Sequence, residues 1–243
     1  MSACIVLAGG RGTRLAGEVP HLPKCLAPVA GQPFLHWQLR ALRRAGITDV
    51  VLSLGHLHEA VLRWCEQAGA QPHGPTDGLR LRCVVELQPL GTGGAVRHAM
   101  AQLGLAEALV TNGDTLLDGP LAPMQAPLQP GEWLRLATVQ VADRSRFGGV
   151  AVAADGRVIG FTEKGGGGPG CINAGLYRVG AGALALAPAV ASFSLEADWL
   201  PALAARGALR AAALAGGFID MGVPDDYHRL QAQMTLSIMS DRL

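Results

Sequence analysis

Apolar residues in the first half of the chain follow two alternating rhythms. Residues 3–8 form a short unbroken apolar run that ends in glycines, the pattern of a strand buried on both faces. Residues 34–45 carry apolar side chains at helical spacing, and Gly46 ends the run. The pair of rhythms returns at 50–54 and 59–68, then at 81–86 and 94–103, and a fourth strand is expected at 108–111. Such alternation implies right-handed crossovers and a mostly parallel sheet. The pattern then changes. Residues 133–141, 149–153, 158–162 and 172–179 read as strands with no long helix between them. Helices are expected at 196–205, with Ser194 as N-cap, and at 225–240. The expected fold is α/β: a mostly parallel, doubly wound, Rossmann-like mixed sheet with a small β-rich extension. Residues 71–78, rich in Pro and Gly, and 165–170, GGGGPG, read as mobile loops.

Composition narrows the function. The chain has 243 residues, only 16% of them charged, and a net charge of +1, which suits a compact soluble protein. No basic field points to nucleic acid, and no apolar stretch is long enough to span a membrane. The N-terminus enters a strand-like run with no charged leader pattern. Five scattered cysteines without a C-x-x-C fit reduced thiols and disfavour structural zinc. A cytoplasmic protein is expected.

The candidate chemistry lies just after the strands, where an open parallel sheet binds its ligands. IVLAGGRGTRL follows the first strand. It has neither the spacing of a Walker A loop nor the third glycine of a dinucleotide fingerprint, since Leu15 stands there. Its glycines can still turn backbone N–H groups toward a ligand, and Arg11, Arg14 and the later Lys24 favour an anion. Residues 88–94 follow the third strand and open a helix, whose dipole adds positive potential. Asp114 follows the fourth strand, and Asp220 follows an apolar pair late in the chain; together with phosphate oxygens they could hold Mg²⁺. Each feature also has a structural reading. Asp114 could close an Asx-turn, Asp220 could cap the last helix, the glycines could serve packing, and Lys24 could be a surface lysine. His56 and His58 could be a metal pair or part of a solvated loop. The coincidence of all these features after strands favours a ligand crevice.

The ordered set AGGRGTRL, LPK, PLGTGGA, NGD, EK, NAG and FIDMG resembles the sugar-1-phosphate nucleotidylyltransferase family over nearly the whole chain. VPHLPKCLAPVAGQPFL, QPLGTGGAVRHAM, FSLEADWLPAL and GFIDMGVPDDY most resemble its D-glycero-D-manno-heptose 1-phosphate guanylyltransferases. The resemblance implies one domain, with an NTP-binding half over 1–118 and a sugar-phosphate half with C-terminal helices over 119–243. It implies that Leu7, Ala8, Gly9, Gly10, Gly12, Thr13 and Arg14 wrap the nucleotide, with Arg14 on the triphosphate. Lys24 would contact the phosphates at the reacting centre, Gln88 and Gly93 would face the base, and Asp114 and Asp220 would hold Mg²⁺. Asn112, Gly148, Glu163, Lys164 and Asn173 would hold the sugar phosphate, with Lys164 on its phosphate and Glu163 on hydroxyls. The partners would be GTP and a heptose 1-phosphate, with mannose 1-phosphate, other sugar 1-phosphates and a non-catalytic sensor as rivals. The protein would be a monomer or homodimer. Two positions depart from the family pattern, Gly17 and Cys25, where proline is usual.

Overall fold

A computed structural model describes residues 2–13, 15, 17–71 and 73–240. β1 (Cys4–Leu7) leads through a 3-10 turn at Lys24–Leu26 and a small hairpin, β2 (Pro28–Val29) and β3 (Gln32–Pro33), into α1 (Phe34–Arg44). The hairpin turns on Ala30 and Gly31, both at positive φ, the geometry of a tight two-residue connection. β4 (Asp49–Leu54), α2 (His58–Gly69), β5 (Arg80–Val85), α3 (Gly91–Gln102) and β6 (Glu107–Asn112) complete the alternating half. β7 (Thr115–Asp118) and α4 (Ala122–Gln125) lead to β8 (Leu134–Val141), β9 (Gly149–Val152), β10 (Val158–Thr162) and the long β11 (Gly170–Gly180). Next come α5 (Ala181–Leu184), a π-helical turn at Leu195–Trp199 that runs into α6 (Leu200–Ala205), β12 (Leu209–Ala213), β13 (Gly217–Asp220) and α7 (Pro224–Ser240). Ser194 caps the π-helical turn as expected, its Oγ accepting the Ala197 N–H at 3.0 Å.

β5, β4, β1 and β6 are neighbours in that order and all parallel. Counted in chain order the parallel strands run 3-2-1-4, so the direction of winding reverses between β1 and β6. That is where an open α/β sheet binds ligands. β11 continues the sheet, antiparallel to β6 through Leu176–Gly180 and touching β9 at Ile172, while β8 pairs along it and carries β12. The nine-stranded mixed sheet is thus the expected α/β sheet with its β-rich extension.

Alternation along the strands sorts the core into two layers. Ile5, Val51 and Val110 pack with Val96, Met100 and Trp199 on one face. Cys4, Val6, Val50 and Leu52 pack with Leu35, Leu39 and Val61 on the other. A third cluster, including Leu15, Phe34, Met221 and Tyr227, seats α7. No helix among the described residues is long and apolar enough to cross a membrane.

Candidate active site

The carboxyl ends of β1, β4, β5 and β6 open into one crevice of about 1130 Å³. That is above the usual range of small-molecule pockets (roughly 300–1,000 Å³), room enough for two ligands. The glycine loop after β1 lines it, from Gly9 to Thr13, as do Leu7 and Ala8. Gly9 packs closely, since a Cβ there would stand 2.4 Å from Glu86 Oε1 and 3.0 Å from the Gly55 nitrogen. Gly12 has φ +61°, which also favours glycine.

The charged centre is assembled from three distant segments. Lys24, in the 3-10 turn, places Nζ 2.6 Å from Asp114 Oδ2. Asp114 lies in the turn between β6 and β7, which α1 braces from behind: Gln38 Nε2 donates to the carbonyls of Asn112 and Thr115 at 2.8 and 2.9 Å. β13 pairs antiparallel with β7, so Asp220 lies opposite Thr115, and the Met221 N–H donates to the Asp114 carbonyl at 2.9 Å. This pairing brings the two aspartates to one place. Burial raises the Asp220 pKa, the Asp114 charge raises it further, and Lys24 opposes both. Two carboxylates served by one ammonium form a site short of positive charge. They fit a hard divalent cation whose remaining ligands are phosphate oxygens and water. No cluster of three or more His, Cys, Asp or Glu that could hold a metal occurs among the described residues, so protein side chains alone would not complete such a shell.

A nucleotidyl transferase family model matches residues 3–237. The chain belongs to the nucleotidyl transferase family. A D-glycero-alpha-D-manno-heptose 1-phosphate guanylyltransferase of Aneurinibacillus thermoaerophilus is 34% identical over 95% of this chain and 97% of its own. A mannose-1-phosphate guanylyltransferase of Mycobacterium tuberculosis is 33% identical over 96% of this chain and 65% of its own. HddC from Yersinia pseudotuberculosis superposes with a TM-score of 0.85 at 29% identity, covering 96% of this chain and all of that one. In its complex with GMP-PN the TM-score is 0.82.

The nucleotidyl transferase crevice collects most of the residues expected from sequence. Lys24, Gln88, Asn112, Asp114, Gly148, Lys164, Asn173 and Asp220 all line it. Arg14 lies outside the described residues; Arg11 does line the crevice. Two of the expected residues lie off the crevice lining. Gly93 does not line the crevice: α3 starts at Gly91 rather than Gly94, so Gly93 is in its first turn. A Cβ on Gly93 would stand 2.3 Å from the Phe193 ring, so it is a packing glycine. Glu163 is exposed and is not among the lining residues, whereas Phe161, Thr162 and Lys164 are. His56 and His58 do line the crevice, with His58 Nδ1 3.0 Å from the Gly55 carbonyl.

Sequence reading missed Glu86, a half-buried carboxylate at the end of β5 that lines the crevice beside Gly9. Its Oε2 accepts the Leu90 N–H at 3.1 Å. Burial raises its pKa, and the Leu90 hydrogen bond and the nearby His98 pull it back. The signal was an acceptor-only side chain placed just before a glycine-rich loop.

Cys25 stands beside Lys24, a position that could activate a thiol. Burial instead pushes its pKa up to about 12. Cys25→Ser is therefore expected to keep most of the wild-type rate. A variant that binds both substrates normally yet releases no pyrophosphate would assign the thiol a chemical role.

Proposed function

We propose that the protein transfers GMP from GTP to D-glycero-α-D-manno-heptose 1-phosphate, releasing pyrophosphate and using Mg²⁺. The observation that carries this reading is the near full-length likeness to a relative named for that reaction. A solved structure of HddC with GMP-PN supports the guanine nucleotide. Residues 1–118 would hold the NTP, and most of the sugar-phosphate contacts would come from 119–243. Five free thiols suit the reducing cytoplasm.

The sugar 1-phosphate is largely dianionic near neutrality, because its second pKa is ~6. It needs no general base. One of its oxygens attacks the α-phosphorus in line, and pyrophosphate departs. The protein's task is to hold two mutually repelling anions in register. The glycines of the first loop, with Thr13 and Arg14, wrap the triphosphate. Lys24, fixed by Asp114, meets the phosphates at the reacting centre, and Lys164 holds the sugar phosphate. Asp114 and Asp220 would hold Mg²⁺, which would supply positive charge against the negative charge developing on pyrophosphate.

Glu86 supports guanine as the base. A carboxylate only accepts, and guanine presents adjacent N1–H and N2–H donors. Adenine presents no such pair on that edge. Glu86→Gln retains the acceptor for Leu90 but replaces one accepting oxygen with a donor. It is expected to reduce the GTP-over-ATP preference by about 10- to 100-fold, the value of one or two hydrogen bonds to a charged group. An unchanged preference would remove Glu86 from base recognition.

Mannose 1-phosphate is the second reading, favoured by the Mycobacterium relative. The test is pyrophosphate release across four NTPs and several sugar 1-phosphates. GTP with the heptose is expected to give the highest kcat/KM. Another NTP ahead of GTP would discard the guanylyl assignment, and mannose or glucose 1-phosphate ahead of the heptose would discard the sugar.

A further inference from the structure

A chain of hydrogen bonds links the first turn of α3 to β11. The Thr92 hydroxyl donates to Glu196 Oε2 at 2.7 Å, and Ser194 Oγ donates to the same oxygen at 3.2 Å. The Tyr177 hydroxyl donates to Glu196 Oε1 at 3.3 Å and accepts from Asn173 Nδ2 at 2.8 Å. Asn173 Oδ1 accepts the Gly175 N–H at 2.8 Å. Thr92, Asn173 and Glu196 line the crevice, while Tyr177 is fully buried behind them.

We propose that Glu196 and Tyr177 are positioning residues that fix the polarity of the Asn173 amide, so that it donates to the sugar 1-phosphate. This rests on the reading above in which Asn173 meets that substrate. A carboxylate has no proton to give, and a phenol has one. With the Tyr177 proton committed to Glu196, the phenol oxygen can only accept from Asn173. Asn173 must then turn its NH₂ to Tyr177 and keep its carbonyl on Gly175. Its second amide hydrogen has no partner among the described residues and remains available as a donor. The ligand surface it meets is rich in acceptors: phosphate oxygens and sugar hydroxyls. The opposite amide orientation would face oxygen with oxygen. Burial first, and then the Glu196 charge, holds the Tyr177 pKa well above the ordinary phenol value, so the relay keeps its proton at working pH. Thr92 sits at the nucleotide end of the same carboxylate, so Glu196 also ties the two substrate regions together.

The test compares Tyr177→Phe, Glu196→Met and the double variant in steady-state kinetics, varying each substrate separately. Sugar-phosphate affinity is also measured by calorimetry, and Tm by thermal melting. The wild type's best sugar 1-phosphate is used throughout. A wrong sugar assignment therefore shows in the wild type, and a wrong relay only in the variants. Each single variant is expected to weaken sugar-phosphate binding about tenfold, the value of one misdirected hydrogen bond. Tyr177→Phe should leave the NTP KM nearly unchanged, and the double variant should be no worse than the worse single one. If Tyr177→Phe fails to fold, the calorimetry on Glu196→Met decides. Unchanged sugar-phosphate affinity in a folded single variant, equal losses for both substrates in Tyr177→Phe, or additive losses in the double variant would each overturn the relay.

Discussion

Asp220→Asn is expected to lower kcat by about 100- to 1000-fold, the scale of losing one element of transition-state charge stabilisation. Tm should stay the same or rise. The two effects diverge because of how the site is made. The β7–β13 pairing holds Asp220 beside Asp114, in surroundings that already disfavour its charge. Asparagine fits the same space without the repulsion, so the fold gains while the proposed cation would lose an anionic ligand. Asp114→Asn should lose comparable activity, with a further effect: Lys24 loses the carboxylate 2.6 Å from its ammonium. Pyrophosphate release at saturating substrates, paired with thermal melts, separates these outcomes. Turnover within about tenfold of wild type in both variants would remove the aspartates from the metal site. A fall in Tm with the activity loss would make their role structural.

Glu132→Gln is expected to cost about 3–5 kcal/mol of stability, the usual result of stripping the partner from a buried charge. For a chain of this size that is roughly 6–20 °C in Tm. Glu132 has a fully buried side chain, and Arg135 is nearly so. Arg135 gives Nε and Nη2 to the two Glu132 oxygens at 2.7 and 2.6 Å. Its remaining donors hold the carbonyls of Pro123, Ala126 and Pro127 at 2.8–3.0 Å, and Glu132 Oε2 accepts the Gln129 N–H. One ion pair thus organises the connection from α4 to β8. A glutamine leaves the guanidinium buried with no counter-charge. Arg135→Met, followed by the double variant, closes a thermodynamic cycle, and the combined loss should be well below the sum. Denaturant unfolding gives the numbers. A Glu132→Gln loss under about 1 kcal/mol would mean that water reaches the pair.

The alternating half was legible because buried parallel strands are written as continuous apolar runs, and each is followed at once by a helix with its own period. The short strands were not. β7 and β13 are four residues each, and their pairing joins the middle of the chain to its C-terminal part. Nothing local in FID reports that Asp220 will sit opposite Thr115. Motif likeness supplied Asp220, and the pairing supplies the reason. The glycine-rich stretch misled in the other direction. Gly91, Gly93 and Gly94 look alike in sequence and all three make room for the segment Ala191–Phe193, yet Gly91 alone of them also has a positive φ. Glu86 escaped because a carboxylate is an unlikely recruit to a phosphate crevice until its position in the lining, beside Gly9, is seen.

β11 runs for eleven residues without a break in the chain, meeting β9 near its start and β6 near its end, with a register shift between Asn173 and Tyr177. The halves proposed at 1–118 and 119–243 are therefore joined by the hydrogen-bonded ladder between β6 and β11 as well as by the chain itself. A second half taken from a relative would have to rebuild that ladder, residue for residue, against a foreign β6.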